Sequence, residues 1–174
     1  MFVFTLKKRS LHHPNCVLFL GFTKPPNFCI ITEYMNLGSL RSILNNHTIR
    51  ITIKIMIKIA ISIARGMNYL HTQSPAILHR DLNSHNILST TNWTIKVADY
   101  GLSRTMDATM DFCGAVPWRA PEVDRGVYFP ASDVYSYGIY LSFPPSLSPF
   151  YLPFFSSSST PFLLPLFLIT AFPL

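Results

Sequence analysis

The C-terminal 33 residues decide where this chain can build structure. Of residues 142–174, 28 are Phe, Ser, Pro or Leu, seven of them proline, and none is charged. Proline lacks the backbone donor and clashes with the preceding turn, so these prolines break every helix the apolar residues could start. The longest apolar run, "PFLLPLFLITAFPL", has 14 residues and no flanking Lys or Arg. A bilayer-spanning helix needs about 20, with basic residues to orient it. Phe, Ser, Pro and Leu all have codons that can be pyrimidine at the first two positions. The tract therefore reads as a translated pyrimidine-rich stretch, neither domain nor anchor, and a fold must come from residues 1–141.

Within those residues the charges are sparse and scattered. The whole chain is +6, its one basic cluster is Lys7, Lys8 and Arg9, and its last acid or base is Asp133. No basic run is long enough to argue for nucleic acid, and the charges read as a solvated surface able to meet anions such as nucleotides. Cys16, Cys29 and Cys113 are far apart and lack metal-ligand spacing, which speaks against a disulfide framework or zinc site and for a reducing, cytoplasmic setting. The N-terminus places its charges after its apolar residues, the wrong order for a secretory signal.

Short apolar runs at 16–20 and 28–34 flank the turn "GFTKPPN" and predict a hairpin-like pair of strands. "NLGSL" at 36–40 reads as a stop followed by a helix start with Ser39 as N-cap. In "RITIKIMIKIAISIARGMNYLH" isoleucine takes every second position from 51 to 63, a strand-like period. Yet the run continues unbroken into Ile59, Ile63, Met67 and Leu70 at three-to-four spacing, so the segment predicts a helix of about 20 residues. "NWTIKV" reads as a hairpin arm leading into a loop, and "APEV" and "SDVYSYGIYLS" as helix starts after loops.

The chemistry is concentrated in "ILHRDLNSHNIL" at 77–88, where an Asn follows an Asp by five residues, and in "ADYGLSR" further on. Phosphoryl transfer needs hard oxygen ligands to hold divalent cations against the phosphates. It also needs a carboxylate to orient the attacking hydroxyl and accept its proton. Asp81, Asn86 and Asp99 are residues of those kinds.

"HRDLNSHN", then "DYG", then "APE", in that order, resembles the eukaryotic protein kinase family, with the match running over roughly residues 6–141. "TKPPN", "ARGMNYLHT" and "NWTIKVADYGLSR" are most similar to its tyrosine-kinase-like branch, whose members mostly phosphorylate Ser and Thr. The resemblance implies an α+β fold: the end of the small lobe, with strands four and five, over residues 1–35, and the front half of the mostly helical large lobe over 36–141. It implies Asp81 as proton acceptor, with Arg80 and Asn83 in the catalytic loop, and Asn86 and Asp99 as ligands of Mg²⁺ on ATP. Thr32 falls at the gatekeeper position, and Glu33, Tyr34 and Met35 in the hinge whose backbone meets adenine, with Leu88 in the same region. His79 and Tyr100 are expected to pack, Asp133 to brace the catalytic loop from below, and Arg80 to pair with a phosphate on Ser103, Thr105 or Thr109. The implied partners are ATP and a protein substrate.

Departures from the family pattern limit this resemblance. No Gly-x-Gly-x-x-Gly occurs in the sequence, and no acid precedes Glu33, so the phosphate loop and the lysine–glutamate pair of the small lobe are not found here. The pattern also fades beyond Leu141, which leaves Glu122 without its expected later arginine. Asn83 stands where many Ser/Thr kinases have Lys, and Ala115 follows Gly114 where Thr is common. The expectation is a kinase domain truncated at both ends and weak or inactive, with a scaffold-like pseudokinase as the alternative.

Overall fold

The computed structural model describes residues 11–27, 29–100 and 118–142, without the side chains of Tyr140 and Ser142. The basic cluster at 7–9, the candidate phosphate acceptors Ser103, Thr105 and Thr109, the Gly114–Ala115 pair and the C-terminal tract lie outside these residues.

Strand β1 (Phe19–Phe22) and strand β2 (Ile30–Thr32) pair antiparallel, with Phe19 opposite Thr32 and an irregularity between Phe19 and Gly21. β1 begins three residues later than the apolar run suggests. The run's first residues pair elsewhere: Val17 N–H donates to Val97 (2.8 Å), and Val97 N–H to Asn15 (2.8 Å). A second antiparallel sheet has the order β3 (Gly38–Ser39), β4 (Ile87–Ser89), β5 (Ile95–Val97). Its first strand was not legible, because two residues carry no period.

Helix α1 (Leu40–Asn45) starts at Ser39, whose side chain accepts from Ser42 N–H. Helix α2 (Ile53–His71) is capped by Thr52. Residues two apart on a helix stand about 200° apart, so the alternating isoleucines divide between two faces. Ile59 and Ile63 are buried with Met67 and Leu70, whereas Ile53, Ile57 and Ile61 stay exposed. A short 3₁₀ turn (Pro121–Arg125) ends on left-handed Gly126, and helix α3 (Pro130–Ser142) follows. Among the described residues no helix is long and apolar enough to cross a membrane.

The main core lies between the buried face of α2 and the second sheet, with Ile59, Ile63, Leu70, Ile87, Ile95 and Val97 at its centre. The helix approaches closely at Gly66, where an added Cβ would stand 2.6 Å from the Asn15 carbonyl oxygen and 3.0 Å from Val97 Cγ2. Beside it, burial pushes the Cys16 thiol up to about 12, leaving a neutral packing group. Two smaller clusters adjoin the core: Leu78, Ala120, Val123 and Tyr128, and Val17, Met35 and Ala98.

Candidate active site

The segment between α2 and β4 is irregular, so its shape must come from side chains. Asp133, near the start of α3 and 3% exposed, supplies most of it. Its Oδ1 accepts from Arg80 N–H (2.9 Å) and its Oδ2 from His79 N–H (2.9 Å). Oδ2 also meets His71 Nε2 at 2.8 Å, at the end of α2. A buried carboxylate is tolerated when donors surround it, and charge-assisted bonds of this kind are the stronger class. One side chain thus joins α2, α3 and the loop.

His79 lies at the bottom of the loop with no exposed surface. Its Nε2 is 2.9 Å from the Ala98 carbonyl, and its Nδ1 is 3.3 Å from Asp81 N–H. A carbonyl can only accept and an amide N–H only donate, so the ring is the neutral tautomer protonated at Nε2. Burial holds its pKa below the ordinary histidine value, outweighing the opposing pull of Asp133. The ring is a packed support.

Above it, Asp81 is half-buried and bracketed by two amides. Asn83 Nδ2 donates to Oδ1 (2.9 Å) and Asn86 Nδ2 to Oδ2 (3.0 Å). Both amides also reach the Asp81 carbonyl, at 3.2 and 2.7 Å. Asn83 is held in turn by His85 N–H at 2.8 Å. Each carboxylate oxygen thus has an amide donor that fixes its direction. Arg80 takes a left-handed backbone (φ 71°) and lays its guanidinium 4.4 Å from the Tyr128 ring centroid. Strained backbone of this sort persists only where surrounding contacts overdetermine it.

Asp99 follows β5, and its backbone neighbour Ala98 lies against the loop. Ala98 N–H donates to the Asn86 carbonyl (2.7 Å) while the Ala98 carbonyl meets His79, so the next residue emerges beside the loop. Asp99 is also left-handed (φ 52°), and its side chain is exposed. Among the described residues no three His, Cys, Asp or Glu side chains group to hold a metal. The available donors are instead an Asp99 carboxylate and Asn86 Oδ1, the amide oxygen its own bonds to Asp81 do not use. Such hard oxygens suit Mg²⁺.

The residues expected at the hinge divide. Met35 is buried with Val17 and with Ala98, the residue before Asp99, and half-buried Leu88 packs against them. Thr32 is exposed and Tyr34 is 86% exposed, away from that cluster. Glu33 has a role its sequence position did not suggest. Lys96 Nζ meets both its carboxylate oxygens (2.6 and 2.8 Å), and Leu18 N–H donates to Oε1 (2.6 Å). The ion pair ties the residue after β2 to β5. Tyr100 does more than pack: its hydroxyl donates to the Val17 carbonyl (2.6 Å). Glu122, left without a partner by the sequence, accepts from Ser132 Oγ at 2.7 Å.

Comparison with known proteins identifies the family. Residues 5–142 match the family described as protein tyrosine and serine/threonine kinase. The chain is 49% identical over 137 residues to "Probable serine/threonine-protein kinase drkB" of Dictyostelium discoideum, covering 76% of this chain and 20% of the relative. It is 43% identical over 143 residues to serine/threonine-protein kinase CTR1 of Arabidopsis thaliana, covering 76% and 17%. The chain thus spans about a fifth of the length of these relatives. With the family profile matched across most of its length and the loop folded around Asp81, the chain belongs to the protein tyrosine and serine/threonine kinase family.

Proposed function

We propose that the chain contributes the catalytic loop of a cytoplasmic protein kinase of the tyrosine-kinase-like branch, directed at Ser or Thr hydroxyls. The bracketed carboxylate of Asp81 carries this reading. Its two amide bonds hold it in one orientation on a loop anchored by Asp133 and supported by His79. A carboxylate so held can accept the hydroxyl proton of a protein substrate as the oxygen attacks the γ-phosphorus of ATP and the bond to the β–γ bridging oxygen breaks, releasing ADP, a contribution of about 10²–10⁴-fold. Asn83 acts as a positioning residue here, since its amide is committed to Asp81 where a lysine would face the phosphate. Arg80 holds the loop's left-handed turn against Tyr128.

Asn86 and Asp99 would hold Mg²⁺, which when bound neutralises the charge spread over the phosphate oxygens. Glu33 N–H is donated to Leu18 and the Met35 carbonyl accepts from Gly38, which leaves the Glu33 carbonyl and Met35 N–H to meet adenine. Met35 and Leu88 offer it an apolar wall, with Thr32 and Tyr34 at the edge. Residues 1–174 contain no Gly-x-Gly-x-x-Gly, so taken by themselves they are expected to position the α- and β-phosphates weakly. Positioning and electrostatics make up most of phosphoryl-transfer catalysis.

The test is Mg-ATP-dependent phosphorylation of a generic protein substrate by the purified chain and by Asp81→Asn. The expected result is slow transfer, at least a thousandfold below the roughly 1–100 s⁻¹ of ordinary kinases, lost in Asp81→Asn, with phosphoserine or phosphothreonine as product. Transfer that survives Asp81→Asn overturns the assignment. Calorimetry with ADP separates the metal half: Mg²⁺-dependent binding disappears in Asp99→Ala if Asp99 is a ligand.

A further inference from the structure

Away from the catalytic loop, the outer face of α2 carries a pattern that its packing does not use. Ile53, Ile57 and Ile61 are between 45% and 56% exposed, and their four-residue spacing makes them one stripe. Exposed Lys54, Lys58 and Arg65 run beside it. Among the described residues none of the three is in an ion pair. The sequence has no Asp or Glu between Glu33 and Asp81, so nothing on this helix offsets them. The Arg65 charge adds to the burial that lowers the pKa of His13. A groove of about 490 Å³ runs along the face, lined by Lys54, Ile57, Lys58, Ile61 and Arg65 and walled by Thr94 before β5.

We infer that this groove binds an acidic linear segment of a partner protein, in extended form, with leucine-like side chains on the isoleucines and carboxylates on the three cations. Charge complementarity selects this occupant. Residues 134–174 of the chain itself carry no acid, so they do not match the cations. A lipid surface would lie flat across the stripe without entering a walled groove.

The spacing sets the motif. Within α2, Lys54 and Lys58 are about 6 Å apart along the axis, and Lys58 and Arg65 about 10 Å, at 1.5 Å per residue. An extended strand at about 3.3 Å per residue covers these gaps in roughly two and three residues. Acid at the first, third and sixth positions, with leucine between, is therefore the complementary pattern.

The probe is a fluorescein-labelled peptide Gly-Ser-Glu-Leu-Glu-Leu-Ser-Glu-Gly-Ser, titrated with the full chain and read by fluorescence anisotropy; no phosphoryl transfer is involved. The expected result is saturable binding that weakens at least tenfold when every Glu in the peptide becomes Gln. Lys54→Glu/Lys58→Glu lowers affinity at least tenfold and Ile57→Ser at least threefold, with the far-UV circular dichroism unchanged. Should the reversed pair lose its helical signal, Lys54→Gln/Lys58→Gln is held to the same criterion. The inference is overturned if the chain fails to bind the peptide, if the Gln peptide binds equally well, or if the variants bind undiminished. It is equally overturned if phosphatidylserine vesicles sediment the chain while the peptide does not bind, which would assign the face to an anionic lipid surface.

Discussion

Asp133 shows how much can rest on one carboxylate: two backbone donors and a histidine ring converge on it from sequence positions more than fifty residues away. Its bracing role was legible through the family resemblance, and the packed support at His79 likewise. The amide of Asn83 against Asp81 was not, because the residue type there departs from the common lysine and nothing in the local string says where an amide will turn. Nor was the Glu33–Lys96 pair, whose partners are 63 residues apart. The buried state of His79 has a pH consequence. The folded ring resists protonation, with a pKa below its ordinary 6.5, while the unfolded chain takes up a proton near that value. The unfolded state therefore binds more protons as pH falls, and stability drops. Urea midpoints should hold steady above about pH 7 and decline below about pH 6.5, and His79→Phe should flatten that part of the profile; an unchanged slope in the variant would refute the assignment.

At the scale of elements, period and capping residues located the helices well. Ser39 begins α1 as the N-cap read from the sequence, Thr52 caps α2 without having been singled out there, and the isoleucine alternation proved compatible with a helix because the two faces share it. Strands β1, β2 and β5 were placed within a few residues, whereas β3 and β4 were not read from sequence, β3 because pairing with β4, not local sequence, makes it a strand. The docking of α2 on the second sheet depends on Gly66. The Asn15 carbonyl that a Cβ would strike accepts from Val97 N–H, and Asn15 is also tied to Ile95 through its side chain (2.9 Å). A backbone atom bonded on both sides cannot step aside cheaply. Gly66→Ala should therefore destabilise the fold by about 1–3 kcal/mol, despite the helix preference of alanine worth about 1 kcal/mol. Chemical denaturation of the variant measures the balance, and a gain in stability would show that the loop yields.

For the molecule as a whole, the order of motifs along the chain announced the family, and the three-dimensional structure adds how unevenly the fold is held. The α2–sheet core is closed on itself, whereas the β1–β2 hairpin leaves Leu20 56%, Ile30 65% and Ile31 45% exposed. Regions with few buried contacts open at lower free energy than the core. Native-state hydrogen exchange should therefore release the hairpin amides at least about a hundredfold faster than those of Ile59–Leu70, and uniform protection would contradict this picture. The Asp133 anchor carries a consequence for biosynthesis. A ribosome delivers His79 and Arg80 more than fifty residues before it delivers the carboxylate that shapes them. Through that interval the nascent loop lacks the carboxylate that sets its shape, and the newborn chain completes this loop late, when α3 has emerged and docks.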